Sequence, residues 1–283
     1  MTDRYAVIGN PVAHSRSPQI HAMFARATGQ DLVYERLWAP LDGFRAAVDR
    51  FRAEGGRGLN VTLPFKLEAH AYADAHTPRA EAAAAVNTLR FDAAGVLGDN
   101  TDGVGLVTDI EQRLGVDLRS ARVLIAGAGG AARGVLAPLL AAGVSSVTIA
   151  NRTAPRAHDL AAQSGDARVA GCGYQELDAQ RFEIVVNATS IGLDGGAPPL
   201  SAPLLGAARL VYDMVYATQP TALMRAALAA GCASVSDGLG MLIEQAAESF
   251  LVWRGVRPPT AVVYRALRAA LAAEAGPQAE PRG

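Results

Sequence analysis

Gly127, Gly129 and Ala132 stand in a Gly-x-Gly-x-x-Ala spacing. The apolar run Arg122-Val123-Leu124-Ile125-Ala126 leads into it, and Val135, Leu136, Leu139 and Leu140 follow at helical intervals. A strand, a glycine turn and a helix in that order let the backbone N–H groups of Gly127, Ala128, Gly129, Gly130 and Ala131 approach a pyrophosphate at a helix N-terminus. The segment after the next strand selects the dinucleotide. An Asp or Glu there would accept hydrogen bonds from a ribose 2′-hydroxyl. Instead the chain has Asn151, Arg152 and Thr153, with Arg156 one helical step later. Two guanidinium groups and no carboxylate attract a 2′-phosphate, so the reading is NADP(H). On residue types alone a second reading stays open: a ligand-free glycine turn followed by two solvated arginines.

Reducing a carbonyl by hydride leaves an alkoxide, and that requires a proton donor held beside it. Asn60-Val61-Thr62-Leu63-Pro64-Phe65-Lys66 reads as the end of a strand and the start of a helix. Lys66 then falls in a first helical turn at a sheet rim, where ligands bind. Asp99-Asn100-Thr101-Asp102-Gly103 reads the same way. A helix start stabilises an anion but not an ammonium, unless a carboxylate lies near it, so Lys66 and Asp102 would satisfy each other. Taken alone they also read as a structural ion pair or as two exposed charges. Ser17 before Pro18 likewise reads as a helix cap. His14 has no neighbours that form a metal or triad constellation, and no metal is expected. His21, His70, His76 and His158 are scattered and read as surface or core-edge residues.

The elements that must position these groups are short β-rich runs alternating with Ala-rich helical runs, so the fold class is α/β with parallel strands joined by helical crossovers. Strands are predicted over 5–9, 32–38, 58–62, 86–91 and 96–98, with a helix opening at Ser17 and others over 41–53 and 64–73. Helical spacing resumes at Asp102 and runs to Leu114. Beyond the glycine turn, strands are predicted over 147–150, 184–187 and 210–213, and helices over 154–164, 220–230, 240–253 and 260–273; a doubly wound sheet is their natural assembly.

Composition narrows the classes. The 283 residues include 26 Lys and Arg against 27 Asp and Glu, a formal net charge of -1, so no global field draws the chain to nucleic acid or an anionic membrane. Hydrophobic residues at 50% and charged residues at 19% suit a globular protein. The two cysteines, Cys172 and Cys232, support neither a disulfide framework nor a zinc site. The first residues lack the pattern of a secretion signal, and the uncharged window 134–151 is broken by Pro138, Gly143, Ser145 and Ser146, so a soluble cytoplasmic protein is expected.

Several longer motifs occur in one order: His14-Ser15-Arg16-Ser17-Pro18, the 60–66 segment, Val86-Asn87-Thr88, the 99–103 segment, the glycine turn, Asn151-Arg152-Thr153, Asn187-Ala188-Thr189-Ser190 and Asp237-Gly238-Leu239-Gly240-Met241. Together they closely resemble shikimate dehydrogenases, from about Tyr5 to the helices near Leu271. The resemblance implies reversible NADPH-dependent reduction of 3-dehydroshikimate to shikimate on the route to chorismate and the aromatic amino acids. It implies that Ser15 and Ser17 donate to the substrate carboxylate with Tyr216 assisting, and that Thr62, Asn87, Asp102 and Gln245 grip the ring hydroxyls. Lys66 would be the general acid in reduction and the base in oxidation, held and tuned by Asp102. Thr189, Met214, Gly238 and Met241 would join the glycine turn and Asn151, Arg152, Thr153 and Arg156 in holding the cofactor, with Gly238 and Met241 against the nicotinamide.

A substrate-binding domain is expected over 1–102, a Rossmann-type NADP-binding domain over 103–236 and helices over 237–274 returning to the first domain, while the polar tail over 275–283, with Pro277 and Pro281, is expected to be disordered. The active site is expected in a hinged cleft. Ala84-Ala85 departs from the family, which often has a glycine next to the alanine, and the 193–199 loop is variable territory. Two rivals remain: the same fold acting on quinate as well or using NAD, and a non-catalytic NADP(H)-binding sensor. A monomer and a homodimer both fit.

Overall fold

Five consecutive buried residues, Tyr5 to Gly9, make strand β1 (Asp3–Gly9) the inner strand of a sheet, hydrogen-bonded on both sides. The structure is a computed structural model and describes residues 2–177 and 180–274, so the tail expected to be disordered lies outside the described residues. The chain forms two compact units. The first comprises residues 2–114, 130–142 and 241–260, the second 115–129, 143–240 and 261–274.

The first unit opens with β1, helix α1 (Ser17–Thr28), β2 (Leu32–Trp38), α2 (Phe44–Ala53), β3 (Gly56–Val61) and α3 (Lys66–Tyr72). It continues through β4 (Ala75–His76), α4 (Pro78–Ala83), β5 (Thr88–Asp92), β6 (Gly95–Asp99) and α5 (Asp102–Thr108). Its sheet runs β2-β1-β3-β5-β6-β4. β2, β1 and β3 are parallel, as expected, but β5 runs antiparallel to β3 and β6 to β5. The alternation of strand and helix breaks there because β5 turns straight back into β6 with no crossover helix between them. β4 and α4 carry too few residues to show a period, and the sequence reading has neither. Past Thr108 the helix continues as a single π-turn, Asp109–Arg113. The core joins Ile8, Val48, Leu59, Phe65, Leu89 and Val86. α1 buries Ser17, Ile20, His21, Phe24 and Ala25, the i, i+3, i+4 face of a helix. His21 is fully buried and stacks on Tyr34 with ring centroids 4.1 Å apart, so it belongs to the core and not to the surface.

The second unit begins with β7 (Arg122–Ala126). The next helix, α6 (Gly130–Ala141), belongs to the first unit, where it packs on α4 and α5. Small residues permit this: a Cβ on Gly103 would strike Pro138 and the Gly134 carbonyl, and one on Gly105 would strike Gln245. Then come β8 (Ser146–Ala150), α7 (Ala154–Ser164), β9 (Val169–Cys172), β10 (Ile184–Asn187), α8 (Ala202–Ala207), β11 (Leu210–Asp213), α9 (Ala222–Ala229) and β12 (Val235–Ser236); α10 (Leu239–Arg254) belongs from Met241 onward to the first unit, and α11 (Ala261–Glu274) to the second. All strands of the second sheet are parallel, in the order β12-β11-β10-β7-β8-β9, which reverses between β7 and β10 as a doubly wound sheet requires. α11 contributes Arg268, whose guanidinium grips both carboxylate oxygens of Asp237. Among the described residues no helix is long and apolar enough to cross a membrane.

Candidate active site

β3 ends at Val61, and the buried Phe65 anchors the turn that follows, so Lys66 becomes the first residue of α3. Asp102 holds the same position on α5. These two helix starts meet. Lys66 Nζ donates to Asp102 Oδ2 at 2.5 Å, with the carboxylate nearly buried and the lysine side chain about one-fifth exposed. The other oxygen, Asp102 Oδ1, accepts from Asn87 Nδ2 at 2.8 Å. Asn87 is itself fixed: its Oδ1 accepts from the Thr101 N–H at 2.9 Å and from the Thr88 hydroxyl at 2.8 Å, and its Nδ2 also reaches Gln245 Oε1 at 3.3 Å. Lys66, Asp102, Asn87 and Gln245 therefore form one group.

Ser15 and Ser17 stand together, their hydroxyls 3.2 Å apart. Arg36 holds this turn by donating twice to the Ser15 carbonyl, at 3.0 and 2.7 Å. Ser17 is not a helix cap. Arg16 occupies the cap position, and the Ser17 N–H donates to Ser15 Oγ at 3.3 Å, so the Ser15 hydroxyl satisfies the start of α1. Ser17 connects to the lysine group indirectly. Its hydroxyl reaches the Tyr34 phenol, which burial pushes well above the ordinary tyrosine range. Tyr34 in turn donates to Asn60 Oδ1 at 2.7 Å. Thr62 follows β3 directly and packs its methyl against Gly9, where any Cβ would overlap it.

Sequence reasoning missed the residues behind this group. Asn60 Nδ2 donates to the Asn87 carbonyl, Thr88 Oγ1 and Ser249 Oγ at 3.3, 3.1 and 2.9 Å. Fully buried Ser249 also touches Thr88 Oγ1 at 2.8 Å and Thr101 Oγ1 at 3.2 Å. A signal for Ser249 existed: it lies one helical turn after Gln245 on an otherwise apolar face of α10, which puts two polar groups on one side.

On the second unit, the glycine turn leaves β7 where the strand order reverses. Gly127 takes φ +108°, a backbone conformation open to glycine, and a Cβ there would press on Thr189 and Ala188 at about 3.0 to 3.2 Å. No atom lies within 4 Å of where a Cβ on Gly129 or Gly130 would stand, which leaves room before the backbone N–H groups of the turn; Ala132 is fully buried. Thr189 is set by Asn187, whose Oδ1 accepts its N–H at 3.0 Å and its hydroxyl at 2.7 Å. Past β8, Asn151 Nδ2 donates to the Thr153 carbonyl at 3.0 Å, while Arg152 and Arg156 are exposed. Arg152 lies near the Tyr174 phenol, which burial pushes up to about 12 against the arginine's opposing charge. The segment carries no carboxylate. Gly238 lies against the Met214 carbonyl so closely that a Cβ would overlap it. These features fit a dinucleotide with a 2′-phosphate. Tyr216 belongs to the second unit and Met241 to the first.

Three family models match the chain: the shikimate dehydrogenase substrate binding domain at residues 7–89, shikimate / quinate 5-dehydrogenase at 109–192, and the shikimate 5'-dehydrogenase C-terminal domain at 238–268. The shikimate dehydrogenase (NADP(+)) of Aromatoleum aromaticum is 57% identical over 270 residues, covering 94% of this chain and 97% of the relative. Among solved structures, an Ael1 enzyme from Pseudomonas putida matches with a TM-score of 0.90 at 48% identity, covering 94% of this chain and 98% of that one. Shikimate 5-dehydrogenase from Thermus thermophilus, solved in complex with NADP(H) and shikimate, matches with a TM-score of 0.85 at 36% identity, covering 95% and 100%.

Proposed function

The chain belongs to the shikimate dehydrogenase family, and from that premise we propose that it is an NADP-dependent oxidoreductase that interconverts 3-dehydroshikimate and shikimate, with Lys66 and Asp102 moving the proton. The observation that carries the residue assignment is the hydrogen bond between Lys66 Nζ and Asp102 Oδ2, set in a group of buried amides and hydroxyls.

When bound, the nicotinamide supplies the hydride in one direction and accepts it in the other. The backbone N–H groups of the glycine turn take the pyrophosphate, and Arg152 and Arg156 take the 2′-phosphate that an acidic residue would repel. Ser15 and Ser17, on a turn braced by Arg36, donate to the substrate carboxylate with Tyr216. Thr62, Asn87, Asp102 and Gln245 bind the ring hydroxyls. A polyol needs many such contacts, because each buried polar group left unpaired costs about 1 to 3 kcal/mol. Lys66 gives a proton to the oxygen of the carbonyl being reduced, and in oxidation takes the hydroxyl proton back. Asp102 holds Nζ at the required position, and Asn87 holds Asp102. Met214, Thr189, Gly238 and Met241 complete the cofactor side. We also propose a cytoplasmic setting, which the two buried free thiols, Cys172 and Cys232, support.

The test is the appearance of NADPH absorbance when the purified protein receives NADP and shikimate, with quinate and NAD in parallel arms. Steady turnover with shikimate and NADP is expected, faster than with quinate or NAD. Binding of NADP without turnover would reduce the protein to a sensor, and equal rates on quinate would make it a broader dehydrogenase.

A further inference from the structure

Outside the machinery described above, three side chains from three consecutive elements converge. His70 comes from α3, His76 from β4 and Glu81 from α4, and one ligand atom of each lies within 4.8 Å of the others. We propose that His70 Nε2, His76 Nδ1 and a Glu81 carboxylate oxygen form a binding site for a divalent transition-metal ion of the zinc class, its remaining coordination filled by water.

The donor set selects the ion. Two imidazoles and one carboxylate suit zinc, cobalt, nickel or copper, whereas calcium and magnesium take oxygen ligands. The two separations from Glu81 suit a coordination shell. Glu81 Oε2 lies 3.4 Å from His76 Nδ1 and 3.8 Å from His70 Nε2. Donors about 2.0 to 2.2 Å from a tetrahedral ion stand roughly 3.4 Å from one another. Glu81 is largely exposed, so its side chain is free to make the small adjustment.

The protonation pattern is set for it as well. His76 Nε2 lies 2.9 Å from the His70 carbonyl, to which it can only donate, so a neutral ring turns its Nδ1 lone pair toward Glu81. A ring nitrogen bound to a backbone carbonyl while the other meets the ion is the usual support of a metal-bound histidine. His70 Nε2 is buried with no hydrogen-bond partner among the described residues. The two rings stack with centroids 4.0 Å apart and planes 14° from parallel, so one ring turns for both lone pairs to meet a single ion. Among the described residues no hydrogen bond joins either imidazole to the other ring or to the Glu81 carboxylate, and an ion gives all three a partner. It would tie α3 to β4 and α4, one helical turn beyond Lys66, and so brace the helix that carries the lysine.

The test uses the full, untagged chain stripped of metal by a chelator and titrated with zinc chloride, followed by calorimetry and by the melting midpoint, and with cobalt(II) chloride, followed by visible absorption. Saturable binding of one ion per chain is expected, together with a zinc-dependent rise in melting midpoint and a cobalt ligand-field band. His70→Asn and His76→Asn should each weaken binding by about 100-fold or more, and Glu81→Gln by about 10-fold. His14→Asn and His158→Asn, at exposed positions, should leave it unchanged. Glu81→Gln changes an exposed side chain, so it reads the site even where a histidine variant folds poorly. Zinc affinity unchanged in Glu81→Gln and His76→Asn, or no saturable binding by the wild type up to about 100 μM zinc, overturns the proposal.

Discussion

Asp102 divides its carboxylate between two partners, one oxygen on Lys66 Nζ at 2.5 Å and the other on Asn87 Nδ2 at 2.8 Å. The lysine is thereby aimed by a group that is itself held, which is the arrangement a positioned proton donor needs. Lys66→Ala should lower kcat by roughly 10²- to 10⁴-fold while NADP binding, followed by fluorescence, stays within about twofold. Asp102→Asn should move kcat and KM together, because it loosens both the lysine and a substrate contact. A Lys66→Ala enzyme with normal kcat and a raised KM alone would assign the lysine to binding.

Arg152 is exposed at the end of β8, on a segment with no carboxylate. Arg152→Asp should raise the KM for NADPH by about 10- to 100-fold, the loss of one charge-assisted phosphate contact, and should leave the KM for NADH nearly unchanged. Steady-state kinetics with both cofactors checks this. An unchanged NADPH to NADH preference would mean that the 2′-phosphate is held elsewhere.

What the sequence made legible were features that repeat or punctuate. β2, β10 and β11 lie at the expected residues, and α7 starts and stops where its proline and glycine dictate. Lys66 and Asp102 could be paired in advance, because two opposite charges at two helix starts need each other. What stayed hidden depended on contacts distant in the chain. Nothing local tells that β5 runs antiparallel, that Ser249 ties Asn60 to Thr101 across 189 residues of separation from Asn60, or that His21 turns inward. α4 escaped because six residues do not display a period.

The departure at Ala84 has a cost that the backbone makes explicit. Ala84 ends α4 at φ +46°, ψ +37°, a left-handed conformation that an L residue with a Cβ adopts at about 1 to 2 kcal/mol. Ala84→Gly relieves this strain and adds some chain entropy to the unfolded state, so a net gain of about 0.5 to 1 kcal/mol is expected. Ala85, fully buried and not in that conformation, serves as the opposite control: Ala85→Gly should destabilise. Denaturant midpoints measure both. A destabilising Ala84→Gly would show that the methyl group packs more than the backbone strains.

His21 supplies the pH dependence. Burial lowers its pKa to about 3, and neither ring nitrogen has a hydrogen-bond partner among the described residues, although Asn60 lies close enough to oppose part of the shift. The folded state keeps this histidine neutral, while in the unfolded chain it takes up a proton near pH 6.5. Below that pH the unfolded state binds the extra proton, so stability falls as pH drops from about 6.5 toward 3, and above 6.5 the group contributes no pH dependence. Between pH 7 and pH 5 the loss from this one residue should be roughly 2 kcal/mol. His21→Phe keeps a flat ring against Tyr34 and removes both the titration and the unsatisfied nitrogens, so its stability relative to wild type should rise as pH is lowered from 7 to 5. Melting curves across that range decide the matter. Parallel curves for the two proteins would mean that His21 takes up its proton in the folded state, through a polar partner or a water path into the aromatic cluster.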